Sequence, residues 1–360
     1  MKGVHNLAKW WSDIHVIGKQ IRLRASSSFT IPSAKSPLLL SHYEGTTSRD
    51  MPAKKNGTSV THFILLGLTP DQPHLQPLLF GIFVLIYNVT VMGNLGMISL
   101  ISTDPNLHTP MYFFLGVLSF IDTCYSSVVT PRLLADLLAT DRSISYTSCV
   151  AQMAFLVLHG TLECLMLATM AYDRYVAICH PLSYHQLMSK SVCVKLVAIA
   201  YTLAIANTAV QTHNVFQLPY CGPNLVNHYF CDIPPVLHLA CADTSQARKV
   251  LYIFSALATV TTFSGIVISY AYILVTVSRM SSAAGQQKAL STCASHFAAI
   301  TLFYGTVFFM YIKPSTNNSM DKVASVFYSI IIPMLNPLIY SLRNKEVKEA
   351  LKRKIYRKTF

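Results

Sequence analysis

Seven stretches of this 360-residue chain are apolar for about 20 residues or more, at roughly 77–101, 111–133, 146–179, 193–213, 250–278, 289–312 and 322–342. Lipid offers backbone N–H and C=O groups no partners, so a run of that length is viable in a bilayer as a helix that satisfies them internally. Charged residues make up 12% of the chain against 52% hydrophobic. The mean hydropathy is +0.43, whereas an ordinary soluble domain is about 25% charged. The expectation is an all-α membrane protein whose seven-transmembrane helix bundle occupies residues 77–342 and faces the lipid bilayer. Nothing reads as a separate soluble domain.

The net charge of +13 does not indicate nucleic acid, because the basic residues are scattered between apolar runs with no stacking platform or recognition module. It indicates orientation instead, since Lys and Arg accumulate in short cytoplasmic loops. Residues 343–360 form a basic tail with Arg343, Lys345, Lys348, Lys352, Arg353, Lys354, Arg357 and Lys358, expected as a cytoplasmic, short amphipathic helix. Arg174, Lys190, Arg279 and Lys288 add to the same side, and an odd number of spans then leaves the N-terminus extracellular. Residues 1–50 run against the rule, with Lys2, Lys9, Lys19, Arg22, Arg24, Lys35 and Arg49, and they lack the apolar core of a signal peptide. They read as a disordered extension ahead of a shorter natural start, followed by an extracellular segment over 51–76. That segment holds the glycosylation acceptor Asn56-Gly57-Thr58. A second triplet, Asn88-Val89-Thr90, falls inside the first run and is unusable there, and Asn317-Asn318-Ser319 is of a kind common by chance.

Ionisable residues inside the runs carry the functional information. Met170 to Cys179 reads Met-Ala-Tyr-Asp-Arg-Tyr-Val-Ala-Ile-Cys, with Asp173 and Arg174 at the inner end of the third segment. Near a helix centre a charge costs roughly 2.5 to 3.5 kcal/mol, so this pair must sit at an interface, pair up, or line a polar cavity. At 1.5 Å per residue, Cys149 and Arg174 are about 37 Å apart and mark the two surfaces. Between them Leu156, Gly160, Glu163 and Leu167 fall within about 40° of the Cys149 direction and form one stripe. Asp122 lies about as deep in the second segment. Two carboxylates in one dry cavity cannot both stay ionised unaided, so Asp122 and Glu163 are expected to hold a sodium ion or a proton. Asn94 and Asn336 are the polar groups placed to complete that network.

Nine cysteines divide into five in or beside apolar segments, Cys124, Cys164, Cys179, Cys193 and Cys293, and four on the outer side. The five read as small buried hydrophobes. Cys149, Cys221, Cys231 and Cys241 form an even set for which three disulfide pairings are open. Their spacing suits disulfides better than zinc, whose ligand pairs sit closer together.

Several motifs together resemble one family. Gly93-Asn94, Pro110 to Leu115 (Pro-Met-Tyr-Phe-Phe-Leu), Met170 to Cys179, Ser269-Tyr270, Lys288 to His296 (Lys-Ala-Leu-Ser-Thr-Cys-Ala-Ser-His), Phe303-Tyr304-Gly305 and Pro333 to Tyr340 (Pro-Met-Leu-Asn-Pro-Leu-Ile-Tyr) occur in order. From about Asn56 to Phe360 the chain resembles vertebrate olfactory receptors, within the rhodopsin-like class of G-protein-coupled receptors. The departure is the 50-residue extension, long for that family. The resemblance implies disulfides Cys149–Cys231 and Cys221–Cys241, and an ion or proton held by Asp122 and Glu163. It implies inner-side switch residues Asp173, Arg174, Tyr270, His296, Asn336 and Tyr340, which rearrange as the sixth helix swings out, with Lys288 beside the cleft. It further implies a small volatile odorant as ligand, a stimulatory heterotrimeric G protein that raises cyclic AMP, and residence in the plasma membrane of olfactory cilia.

By family position the ligand wall falls on Leu156, Val157, Gly160 and Thr161, then Phe254, Ser255 and Ala258, then Tyr304, Val307, Phe308 and Tyr311, and finally Ser329. None of these is charged, so the expected ligand is neutral and largely apolar, oriented by one or two hydrogen bonds. A transporter would also carry intramembrane carboxylates, but the repeated halves of that class are not seen. Nor is any nucleotide loop, His-Glu-x-x-His site or Gly-x-Ser-x-Gly turn present, which argues against an enzyme, and no cofactor beyond a bound sodium ion is expected. Intact motifs argue against the silent product of a decayed gene.

Overall fold

A computed structural model describes residues 60–69, 72–221, 223–312 and 318–359. Residues 1–50, the Asn56 acceptor, Asn317 and the side chain of Tyr311 lie outside what is described. Among the described residues seven helical spans are long and apolar enough to cross a membrane. They are α1 (Gln76–Thr103), α2 (Pro110–Leu138), α3 (Tyr146–Cys179), α4 (Lys190–Phe216), α5 (Ser245–Ser278), α6 (Ala283–Ile312), and α7, made of Asn318–Val326, Phe327–Ile331 and Ile332–Arg343. A final helix, α8 (Lys345–Thr359), follows after the single residue Asn344. The expected bundle and terminal helix are thus present, with α5 starting five residues before the apolar run and α6 six before it.

Local chemistry sets several boundaries. α2 opens on Pro110, whose missing N–H is no loss in a first turn. α3 starts after Ser145, whose hydroxyl accepts the Ser148 N–H at 3.1 Å. Within α7, Pro333 cannot donate to the carbonyl of Ser329, four residues back, and a wider π turn, Phe327–Ile331, covers that position. Pro337 likewise leaves the carbonyl of Pro333 without a helical donor. Asn94 of α1 supplies one, its Nδ2 donating to that oxygen at 2.9 Å.

α2 and α3 are the inner members, each with 56% of its apolar window buried, against 11% in α5. The main core runs from Met97 and Leu118 through Leu162, Met166 and Met170 to Phe303 and Tyr340. At the opposite end from Cys149, α8 tucks Val347 and Ala350 inward, and Tyr112 donates to Glu346 Oε2 at 2.7 Å.

The disulfide end holds a feature the all-helical reading lacked. β1 (His62–Leu65) lies between β2 (Ser143–Ser145), antiparallel, and β3 (Leu225–Val226), parallel. Strands of two to four residues leave no periodic signature, which is why the sequence did not show them. Phe63 and Leu65 are fully buried in a cluster with Cys149 and Cys231, while His62 and Ile64 face outward. Just past β1, Gly67 adopts φ +83°, a left-handed conformation suited to glycine.

α1 and α7 meet at the neighbour of Asn94. A Cβ on Gly93 would fall 3.1 Å from Cγ of Pro337, so the close approach of the two helices depends on hydrogen at that position. Gly93→Leu is expected to destabilise the bundle by about 1–3 kcal/mol through overpacking. It should lower surface expression and the unfolding midpoint in detergent, with Gly93→Ala milder; an unchanged midpoint for the leucine variant would refute the contact.

Candidate functional site

A cavity of about 900 Å³ lies between α3, α4, α5, α6 and α7 toward the disulfide end. Seven of the residues expected from sequence line it: Leu156, Val157, Gly160 and Thr161 on α3, Ser255 and Ala258 on α5, and Val307 on α6. Others stand elsewhere. Tyr304 is buried and donates to Thr262 Oγ1 at 2.8 Å, tying α6 to α5. Phe308 is 37% exposed and packs edge-on against Phe263, and Phe254 is half-buried off the wall. Ser329 is fully buried, donating to the Ser325 carbonyl at 2.6 Å beside the Tyr229 hydroxyl. Family position put these four on the wall, but the Tyr304 and Ser329 hydroxyls are spent on Thr262 and the Ser325 carbonyl, and Phe308 packs on Phe263.

The wall also contains residues that sequence reading missed. Cys164 and Phe303 extend it downward, and Asn207 and Gln211 enter from α4. Gln211 Nε2 donates to Asn207 Oδ1 at 2.8 Å, Asn207 Nδ2 to Thr161 Oγ1 at 2.8 Å, and Thr161 to the Val157 carbonyl at 2.7 Å. Two amides four residues apart in an apolar run were a readable signal. At the mouth stand His228, Asp232, Arg248 and Asp321, so the expectation of an uncharged wall holds only for its deeper part. His228 and Asp232 arrive on the long loop after α4, which folds back across the bundle where no helical period could place it, while Arg248 and Asp321 stand in the first turns of α5 and α7.

Covalent bonds and polar contacts fix that loop. Disulfides join Cys149 to Cys231 and Cys221 to Cys241, the pairing implied by the resemblance, with Cα atoms 5.5 and 5.8 Å apart. The Cys231 N–H also reaches Gln152 Oε1 at 2.9 Å, and Gln152 Nε2 bonds the Val128 carbonyl three residues before Pro131. His228, 3% exposed, packs between Tyr229 and Phe230 with its Nε2 facing Ser325 Oγ at 3.3 Å. Burial, aided by the nearby Lys322 ammonium, pushes the His228 imidazole down to about 3. Lys322 itself donates to the Gly67 carbonyl at 2.9 Å.

Below the cavity lie the two acids. Asp122 is fully buried and Glu163 is 1% exposed. Asn336 sits beside both and its Nδ2 donates to Asp122 Oδ2 at 3.0 Å. Asp122 Oδ1, both Glu163 oxygens and Asn94 Oδ1 have no hydrogen-bond partner. Asn94 spends its amide N–H groups on Thr90 and Pro333, so it braces α7 and does not bond the acids. Among the described residues no group of three His, Cys, Asp or Glu could hold a metal. A pair of carboxyls with amide oxygens suits a hard monovalent cation or a proton.

At the far end Arg174 Nη2 donates to Asp173 Oδ2 at 2.7 Å, and Tyr184 donates to Asp173 Oδ1 at 2.9 Å. Tyr184, in the connection after α3, was not foreseen from sequence. The Tyr270 hydroxyl and His296 Nδ1 are 3.0 Å apart, linking α5 to α6. Tyr340 is buried with its hydroxyl unpartnered, as is His296 Nε2, and both lie within electrostatic reach of Arg174. Lys288 is exposed near the start of α6.

The family model for olfactory receptors matches residues 83–358. Olfactory receptor 5G3 of Homo sapiens is 51% identical over 308 residues, covering 85% of this chain and 98% of that protein. Olfactory receptor 5AR1 of Mus musculus is 52% identical over 307 residues, covering 85% and 99%. Among solved structures, squid rhodopsin superposes with a TM-score of 0.63 at 16% identity, over 78% of this chain and 80% of that one, a likeness of fold.

His228 makes the loop sensitive to acid. Its folded-state value lies below the unfolded one, so the stability from burying it neutral is fully present above about pH 6.5 and is lost as pH falls toward 3. Between pH 6.5 and 5 the expected loss is about 2 kcal/mol. Amide protection factors across residues 223–241, taken relative to intrinsic exchange at each pH, should fall over that interval, and His228→Gln should flatten the dependence; identical profiles would remove His228 as the cause.

Proposed function

Because the chain belongs to the olfactory receptor family of rhodopsin-like G-protein-coupled receptors, non-enzymatic multi-pass membrane proteins, we propose that it is an odorant receptor for a small neutral volatile. On this reading the ligand body lies in the deep part of the cavity, against Leu156, Val157, Gly160, Ala258 and Val307, and the protein signals through a stimulatory heterotrimeric G protein to raise cyclic AMP. The observation that carries it is the placement of the cavity. Its floor includes Cys164, the residue after Glu163, so whatever fills the cavity presses on the helix that bears the buried acid.

The chemistry follows from two alternative packings of one polar network. A ligand shifts such an equilibrium only by binding one arrangement more tightly than the other. Contact with α3 at Gly160, Thr161 and Cys164, and with α6 at Phe303 and Val307, is contact with the two helices that must separate. Lower down, α6 is held to α5 by polar, uncharged contacts. Tyr304 bonds Thr262, Tyr270 bonds His296, and release of these would let the α6 end bearing Lys288 move from Arg174. Freed from Asp173, Arg174 would face an entering G protein, with Tyr270 and Tyr340 closing behind it. Sodium or a proton on Asp122 and Glu163 would supply charge balance in the resting arrangement, with Asn336 orienting Asp122.

On this reading the N-terminus is outside the cell, an orientation supported by the basic residues Arg279, Lys288, Lys348, Lys352 and Arg353 at the end opposite the disulfides. Plasma membrane of olfactory cilia is the corresponding location, and Asn56 the corresponding glycosylation site.

Arg174→Ala should abolish odorant-driven cyclic AMP in cells while surface protein persists, measured against a panel of neutral volatiles; retained signalling would remove Arg174 from the transducer contact. If sodium is the resident ion, raising it should weaken agonist potency severalfold by favouring the resting packing. Glu163→Gln should erase that dependence, whereas a potency that follows pH and ignores sodium in the wild type would identify a proton instead.

A further inference from the structure

Asn207 and Gln211, one turn apart on α4, line the cavity yet belong to none of the motifs that identify the chain. α4 is mostly turned outward, with 17% of its apolar window buried, so an inward amide pair calls for a reason. Adhesion between helices explains Asn207, whose Nδ2 donates across to Thr161. It does not explain Gln211, which is 4% exposed and whose hydrogen bond goes to Asn207 of its own helix.

The three bonds run in one direction, from Gln211 to Asn207 to Thr161 to the Val157 carbonyl. Each amide nitrogen therefore keeps one N–H. Gln211 Oε1 accepts no hydrogen bond among the described residues and is not among the buried atoms sealed without a partner, so it opens on the cavity that Gln211 lines. The remaining valences are donors and one acceptor, all uncharged, set beside the apolar surfaces of Val157 and Gly160.

We propose that Asn207 and Gln211 are specificity-determining residues that read a single carbonyl or hydroxyl oxygen on an otherwise apolar ligand. This rests on the cavity being the odorant site. A carbonyl oxygen accepts from a free amide N–H, and a hydroxyl can also donate to Gln211 Oε1. An alkane of the same length displaces water from these groups and leaves them unpaired, which is how a polar wall rejects an analogue lacking the oxygen.

The test uses the full-length receptor in cells with surface level and cyclic AMP read together. The probes are alkane, alcohol, ketone and ester of matched chain length, applied to wild type, Gln211→Met, Asn207→Leu and the cavity-filling Val307→Trp. Both amide variants should weaken the oxygenated agonists roughly tenfold while sparing the alkane. Val307→Trp should silence every probe. If Val307→Trp leaves responses intact, the cavity is not the ligand site and the reading beneath this one fails. If it silences them while the amide variants weaken all probes equally or none, this inference alone is overturned. Absence of any oxygenated agonist overturns it as well. Should the amide variants not reach the surface, Gln211→Glu, of equal length, should shift preference toward the alcohol over the ketone, and an unchanged ratio counts against the proposal.

Discussion

A polar group in hydrocarbon must find its partner within the protein, and the packing of this bundle follows from meeting that demand. Pro337 strips a helical donor from the Pro333 carbonyl, Asn94 replaces it from α1, and Gly93 beside Asn94 lets the proline ring approach. Four residues in two distant motifs are thus one contact. The same demand joins Gln152 to the Val128 carbonyl and the Cys231 N–H, Asn336 to Asp122, and Tyr304 to Thr262. Each bond crosses between elements, so each fixes a relative position that apolar packing leaves loose.

Six of the eleven buried side-chain atoms left without a hydrogen-bond partner among the described residues belong to the buried acids and their polar neighbours or to the inner-side groups: Asn94 Oδ1, Asp122 Oδ1, both Glu163 oxygens, His296 Nε2 and the Tyr340 hydroxyl. A well-paired group resists rearrangement, while an unpartnered one gains by it. These groups, on α1, α2, α3, α6 and α7, are therefore where an alternative packing would find its favourable bonds.

Sequence displayed the spans because runs of about 20 apolar residues have few other fates in water or lipid. The buried acids and the Asp173–Arg174 pair were equally visible, as charge in such runs is rare. The mouth of the cavity was not. His228 and Asp232 reach it through a loop folded back by the Cys149–Cys231 disulfide, and a chain of hydrogen bonds through β1 has no period to detect. Tyr304, Phe308 and Ser329 show the complementary failure: family position says where on a helix a side chain stands, and local packing decides whether it reaches the cavity. Asn207 and Gln211 were legible as an oddity of composition and became meaningful only once α3 stood opposite them.

One consequence follows from the company Arg174 keeps. Its carboxylate partner is the adjacent residue on the same helix, and α6 carries no acid along its length. No ionic tether therefore spans α3 and α6 among the described residues; what crosses between α5 and α6 at that depth is the neutral pair Tyr270 and His296. A latch of that kind is weak and little affected by ionic screening, so the grip of α6 on α5 at this depth rests on how tightly the aromatic rings nest.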